Sequence, residues 1–212
     1  MKIVQIPNGQ LVENCYLVID EGSRECVVID PGEEAGLILR RITEAGVRPV
    51  AIWVTHAHLD HVMGVPRLSR ETGAPIYLHP ADRELYDHVI QQGLAFGIRV
   101  ESLPPPDREF VPGETVRVGT VGFTVRHAPG HSPGSVCLVG DGVVFTGDVL
   151  FAGSIGRTDL PGADFDTLIR SIERELLVLP DSTMVYSGHG PETTVGRERG
   201  TNPFLTGVHR VA

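Results

Sequence analysis

The sequence predicts an α/β domain in which two sheets pack face to face with helices on their outer sides. Three observations lead there. Short apolar runs of strand-like composition occur in both halves of the chain, helical periodicities are interspersed among them, and no long linker or compositional break separates the halves. One domain over residues 1–212 is the simpler organisation, and a chain of 212 residues can bury roughly 70% of its unfolded surface. A composition that is 41% hydrophobic and 21% charged is that of an ordinary globular protein.

The elements follow in order. "KIVQI" (2–6), "CYLVI" (15–19) and "CVVID" (26–30) read as strands closed by Gly and Pro. Residues 33–46 place Leu37, Ile38, Ile42 and Ala45 at helical spacing before Gly46, and the strand "VAIWV" (50–54) follows. The pattern then predicts a helix over 61–72, a strand at "PIYLH" (75–79) and a helix over 80–92 opened by Pro80. Residues 93–113, with "LPPPD", read as an irregular surface loop and a candidate lid. Strands resume at "TVRV", "FTVRH", "SVCLV" and "VVFTG", before a helix over 164–178 with Leu168, Ile172 and Leu176 on one face and a strand at "MVY" (184–186).

Charge and composition remove several classes. The net charge is −9 and no Lys/Arg run of five occurs, so the footprint of a nucleic-acid binder is missing. All but one of the 18 basic residues are arginine. The N-terminus lacks a charged start followed by an apolar block, and no apolar run reaches the roughly 18 residues of a membrane span, so a cytoplasmic protein with no membrane partner is expected. Cys15, Cys26 and Cys137 sit in strand-like runs, which fits buried thiols better than a disulfide framework.

The residues that carry chemistry stand at strand exits. "VAIWVT" leads to His56, "FTVRHAPG" to His131, "VVFTG" to Asp148 and "MVYSG" to His189, so one sheet edge can gather side chains distant in sequence. Within "THAHLDH" (55–61), His56 and His58 point to one side of an extended segment while the adjacent Asp60 and His61 diverge, which suggests two metal positions. Imidazoles suit zinc, iron and related ions, and carboxylates can bridge two of them. Asp60 as a helix N-cap is the plain alternative, but clustered histidines contribute little to packing and repel one another when protonated. His79, His88, His127 and His209 read as ordinary surface or hydrogen-bonded histidines. Asp30, closing "CVVID", is either the acceptor that orients a ligating histidine or a turn former ahead of Pro31 and Gly32.

"THAHLDH" matches the HxHxDH signature of the metallo-β-lactamase superfamily, and "APGHSPGS" (128–135), "FTGDVLF" (145–151) and "YSGHGPETT" (186–194) resemble its later ligand segments in order. The resemblance runs from near the N-terminus to about Leu205. It implies a four-layer αββα sandwich holding two divalent ions, zinc first, with iron or a Zn/Fe mixture as alternatives. His56, His58 and His131 would hold one ion and Asp60, His61 and His189 the other. Asp148 would bridge the pair, with Asp60 and Asp148 as the catalytic carboxylates.

Within the superfamily, penicillin-hydrolysing members usually carry Cys at the position of Asp148, and the electron-transferring diiron branch carries Glu at that of His58. The RNA-processing branches carry extra arms or an inserted domain. "GSIGRTDLPG" (153–162) and "ERGTNPFL" (198–205) look like the short bacterial relatives of hydroxyacylglutathione hydrolase, glyoxalase II, without its C-terminal helical domain. That resemblance implies hydrolysis of a small-molecule thioester, glutathione-linked in those enzymes, by a hydroxide bridging the two ions. Arg157 falls where they place a basic residue for the thiol peptide, while Asp159 replaces an aromatic one. A persulfide dioxygenase using one iron on His56, His131 and Asp148 is the alternative of another class. A non-catalytic metal-stabilised domain is a third, disfavoured because structural zinc sites are closed and often rich in Cys.

Overall fold

In the computed structural model, which describes residues 1–207, the apolar runs become two six-stranded sheets; His209 lies outside the described residues. The first half contains β1 (Lys2–Asn8), β2 (Glu13–Asp20), β3 (Glu25–Ile29), α1 (Ala35–Ala45), β4 (Arg48–Trp53), α2 (Leu59–Val62), α3 (Val65–Thr72) and β5 (Ile76–Leu78). A 3-10 turn at Pro80–Asp82, α4 (Arg83–Asp87), α5 (Val89–Phe96) and β6 (Arg108–Glu109) complete it. The second half contains β7 (Thr115–Val118), β8 (Val121–His127), β9 (Val136–Gly140), β10 (Val143–Gly147), the small hairpin β11 (Leu150–Phe151) and β12 (Ser154–Ile155), α6 (Phe165–Ser171), β13 (Met184–Ser187), β14 (Thr193–Thr194) and α7 (Val195–Thr201).

The strand orders are β1-β2-β3-β4-β5-β6 and β14-β13-β10-β9-β8-β7. In the first sheet β1–β3 run antiparallel and β3–β6 parallel; in the second, only the β10–β13 pair is parallel. Their inner faces meet in an aromatic-rich layer of Tyr16, Trp53, Phe110, Phe123 and Phe145. Trp53 and Phe145 each contact Phe123 at ring separations of 5.7 and 5.9 Å, within the range of favourable aromatic pairs. The outer face of the first sheet buries Leu17, Cys26, Val28 and Ile52 against Ile38, Ile42, Val65 and Leu68 of the helices. The outer face of the second buries Cys137, Val144 and Val185 against Leu168, Ile172 and Leu176. The result is the αββα sandwich, and it explains why β2 is buried along its whole length. All three cysteines are buried free thiols, and no helix among the described residues is long and apolar enough to cross a membrane.

Three helical expectations change in detail. The helix expected over 61–72 begins at Leu59 and breaks between α2 and α3, because the Gly64 backbone packs on Pro31 and Gly32 so closely that a Cβ would strike the Gly32 carbonyl. The helix expected over 80–92 is a 3-10 turn followed by α4 and α5, interrupted at His88 and extended to Phe96. The helix expected over 164–178 starts at Asp164, whose carboxylate caps the Thr167 N–H at 2.8 Å, and its second half, Ile172–Leu176, widens into a π turn. The loop expected over 93–113 contains the end of α5 and the edge strand β6.

Asp20 joins the two sheets at the end away from the strand exits. Its carboxylate accepts from Thr120 N (2.8 Å), Thr120 Oγ1 (3.1 Å), Gly22 N (3.0 Å) and Ser23 Oγ (3.2 Å). The Thr120 and Gly22 amides hold its pKa down to about 2. A lowered folded-state pKa contributes stability that is present above the unfolded value near 3.9 and is lost as pH falls toward 2. Asp20→Asn is therefore expected to flatten the acid limb of the stability curve between pH 4 and 2, measured by urea unfolding across pH; an unaltered slope would contradict this.

Candidate metal centre

Four strand exits converge on one edge of the sandwich. Val54 and Thr55 lead from β4 to His56; the turn after β8 carries His131; Asp148 follows β10 and His189 follows β13. Gly147 makes the bend before Asp148 with φ +49°, and a side chain there would collide with Thr55. Asn14 joins the sheets beside the site, donating from Nδ2 to Ser187 O (3.0 Å) and Gly190 O (2.9 Å), while the Tyr16 hydroxyl donates to Ser187 O at 2.7 Å.

The gathered atoms form overlapping sets beside Asp148: His56, His58 and His131; Asp60, His61 and His189; and, across them, Asp30, His56 and His61. His131 Nε2 lies 2.8 Å from His58 Nδ1 and 3.2 Å from His56 Nε2. Asp60 Oδ2 lies 3.2 Å from His189 Nε2 and 3.8 Å from His61 Nε2. Between them, Asp148 Oδ2 stands 3.5 Å from His131 Nε2 and 3.6 Å from His189 Nε2, and Asp148 Oδ1 is 3.4 Å from His61 Nε2. His56, His58 and His131 can offer ligand atoms to one ion, and Asp60, His61 and His189 can offer theirs to another. Asp60 lies inside α2 rather than capping it, so its carboxylate is free to face His189. His79, His88 and His127 stay outside: His79 stacks on His127, whose Nε2 reaches Pro133 O, and His88 Nδ1 reaches Glu84 O.

The electrostatics favour neutral imidazoles at His56 and His58 beside ionised Asp60 and Asp148. Burial, followed by the neighbouring His61, lowers the pKa of His56 well below the usual imidazole range, and burial with His131 lowers that of His58 to about 3. Neutral imidazoles with exposed lone pairs are what a metal requires. Burial opposes a charge on His61 too, but Asp148 and then Asp60 outweigh it and hold its pKa well above the ordinary value. Burial would likewise raise Asp148, yet His61 and His131 keep its carboxyl below the usual range. His61 Nε2 and Asp148 Oδ1 are buried without a hydrogen-bond partner. Orphaned buried atoms of this kind are costly, and a divalent ion between them satisfies both.

The supporting hydrogen bonds are extensive. His61 Nδ1 meets Asp30 Oδ2 at 3.1 Å, and the same carboxylate accepts from Thr55 N (2.7 Å) and Oγ1 (2.6 Å), with Thr55 Oγ1 3.1 Å from His56 Nδ1. His131 Nδ1 is oriented by the Arg157 carbonyl at 2.9 Å. Such partners fix ring orientation, so Asp30→Ala is expected to weaken metal binding by about 10–100-fold, read by competition with a chromogenic chelator. Unchanged affinity would leave Asp30 a turn residue only.

Sequence reasoning missed Asp82, Gln92 and Glu198. Asp82, fully buried, accepts from Ala57 N (2.9 Å), between His56 and His58, and from Ser132 Oγ (2.7 Å) and Gly134 N (2.5 Å), beside His131. Its only signal was a place just after the strand "PIYLH", an exit like the others. Gln92 on α5 accepts from Leu59 N (3.1 Å) and donates to Ala57 O (3.0 Å) and Leu85 O (2.8 Å). Buried Glu198 in "ERGTN" accepts from Gly153 N (2.8 Å) and Thr193 Oγ1 (2.6 Å), with Asn202 donating to Ser154 O (3.0 Å), which anchors the β11–β12 hairpin.

A cleft of about 600 Å³ opens over the centre, with His58, Asp60, His131, Asp148 and His189 among its lining residues. Arg157 also lines it, its guanidinium half-exposed and paired with Asp159 through two 2.7 Å contacts. Of residues 93–113 only Ala95 and Phe96 line the cleft; Pro104 accepts from the Tyr86 hydroxyl elsewhere.

The metallo-beta-lactamase superfamily profile matches residues 8–189. Over 209 residues the chain is 39% identical to the hydroxyacylglutathione hydrolase GloC of Haemophilus influenzae, covering 97% of this chain and 98% of that protein. Among solved structures, the BLEG-1 B3 metallo-β-lactamase superposes with a TM-score of 0.91 at 39% identity, covering 97% of this chain and all of that one. TTHA1623 in a di-iron-bound form gives 0.89 at 44% identity, with 95% of this chain and 100% of that chain covered.

Proposed function

The chain belongs to the metallo-β-lactamase superfamily, and from that premise we propose that it is a two-ion hydrolase of thioesters, acting by the chemistry of the hydroxyacylglutathione hydrolases. The observation that carries this is Asp148, whose two oxygens face His131, His189 and His61 at 3.4–3.6 Å and so stand between both ligand sets. His56, His58 and His131 would hold one ion, Asp60, His61 and His189 the other, and Asp148 both. When bound, such ions polarise a carbonyl and bring the pKa of water to about 7. Zinc fits the imidazole and carboxylate donors; the di-iron form of TTHA1623 supports iron as an alternative.

The side chains have distinct tasks. Asp148 Oδ2, facing both sets, orients the attacking water between them. Asp60 would offer Oδ2, 3.2 Å from His189 Nε2, to its ion, which leaves its other carboxylate oxygen to accept the proton that water gives up. Asp30 and the Arg157 carbonyl keep His61 and His131 with their Nε2 atoms toward the centre. The leaving thiolate needs no strong acid, because a thiol of pKa near 8.5 departs readily as its anion. Similarity to GloC supports thioester over other acyl substrates.

A second reading has its own observation: His56, His131 and Asp148 place two imidazoles and a carboxylate within 3.5 Å contacts, the donor set of a mononuclear iron oxygenase. The deciding experiment offers metal-loaded protein a thioester, followed by ultraviolet absorbance, and a glutathione persulfide at an oxygen electrode. A chromogenic β-lactam is added because of the likeness to BLEG-1. Chelator-sensitive thioester cleavage without oxygen uptake is expected. Oxygen uptake without thioester loss, or faster β-lactam opening, would overturn the proposal.

A further inference from the structure

The walls of the cleft differ in kind from its base. Besides the metal-centre residues, Leu11, Leu85, Phe96, Phe151, Ile155 and Leu160 line the cleft, and at about 600 Å³ the space is that of a small-molecule site. Leu11 and Phe96 are 43% and 53% exposed, so the apolar surface continues to the rim. Leu11 is carried by the β1–β2 turn, closed by a Val12 N–H to Gly9 O hydrogen bond of 3.2 Å and held to α1's approach by Gln10 N on Glu33 at 3.0 Å. In that turn Val12 adopts φ +53°, a conformation strained for a β-branched residue and maintained where surroundings over-determine it.

Two polar side chains line the cleft besides the ligand residues, and both are committed. Gln92 spends its amide on the backbone of Ala57, Leu59 and Leu85. Arg157 is engaged by Asp159 through two 2.7 Å contacts, so a ligand carboxylate has to compete with Asp159 for it. A glutathione carrier brings two carboxylates and one ammonium to a chain of net charge −9, and no uncompensated cation among the described cleft residues receives them. Apolar walls without free hydrogen-bonding groups reward a ligand by the apolar area it buries.

Resting on the thioester reading above, we propose that the cleft selects thioesters whose acyl group is an apolar chain and whose thiol carrier is uncharged, in preference to a 2-hydroxyacyl group on an anionic tripeptide. The ester carbonyl would lie at the base, against the His and Asp residues, with the chain along Phe96, Phe151 and Leu160.

The test uses the metal-loaded protein with S-acyl-N-acetylcysteamine thioesters from acetyl to octanoyl, and S-lactoylglutathione. Each buried methylene is worth about fourfold, so kcat/KM for octanoyl is expected to exceed that for acetyl by at least ~100-fold and to exceed that for S-lactoylglutathione. Calorimetry with the uncleavable S-octyl thioether of N-acetylcysteamine should show tighter binding than S-methylglutathione by at least ~10-fold. Phe96→Ala, at a half-exposed position that folding tolerates, should compress the octanoyl-to-acetyl ratio by about 3–10-fold.

A flat acyl series, a preference for S-lactoylglutathione, or an unmoved ratio in Phe96→Ala overturns this inference while leaving a thioester hydrolase in place. Metal-loaded protein that cleaves none of the thioesters overturns the hydrolase reading instead. The thioether binding order then decides the cleft's preference on its own: the S-octyl ligand binding tighter supports it, and S-methylglutathione binding equally well or better overturns it.

Discussion

Asp148→Asn is expected to lower thioester hydrolysis by at least ~100-fold and to reduce the number of ions held per chain. The amide keeps the shape of the side chain but loses the negative charge that faces His61, His131 and His189 together. Two divalent ions set close together repel, and the shared carboxylate offsets that repulsion. The loss should therefore appear in kcat and in metal content at once. Wild-type metal content with a rate within tenfold would show that Asp148 does not bridge. His61 supplies an internal control: its raised pKa depends first on Asp148 among the favourable contacts, so removing that charge should lower the pH at which its ring loses its proton in the metal-free variant, observable by NMR titration of the ring protons.

The second large effect is expected at Asp82, which is not among the residues lining the cleft. Burial raises its carboxyl above the usual range, while Ser132 Oγ and the Ala57 and Gly134 amides hold the rise back. Asp82→Ala leaves those three donors buried without their acceptor, at about 1–3 kcal/mol each, less whatever Ser132 recovers from Ser135, whose Oγ is 2.7 Å away. A total of about 3–5 kcal/mol in urea unfolding is the expected loss, and the two segments that carry His56, His58 and His131 should separate. Asp82→Asn, which keeps one carbonyl acceptor, should recover part of both stability and metal affinity. A loss below about 1 kcal/mol in Asp82→Ala, with metal affinity intact, would show that the two segments are held by other contacts.

The side chains that gather at the candidate centre could be picked out in the sequence because each lies at or just beyond a strand with an unambiguous apolar pattern, and because three histidines and an aspartate within "THAHLDH" have no packing role to compete with. The strands themselves were clear for the same reason: "CYLVI" and "CVVID" lie in the centre of a sheet buried on both faces, so nearly every position is apolar. What escaped depends on contacts between distant residues. Nothing local at Gly64 says that Pro31 and Gly32 will press on it and split a helix. Asp82 looks like the acid of a surface turn until Ala57, Ser132 and Gly134 surround it. The β11–β12 hairpin has two-residue strands, too short for any periodicity, and is held by Glu198 and Asn202, more than forty residues on. At Arg157 the sequence points to the side chain, but the structure also uses the carbonyl, as the acceptor for His131.

Metal stoichiometry tests the central claim most directly. Elemental analysis of protein purified without added metal, with ions counted per chain, should return close to two, falling to about one when Asp60 and His189 are both replaced by alanine. One ion or none in the unaltered chain, under conditions where it is fully active, would contradict an account in which seven side chains form a single two-ion centre.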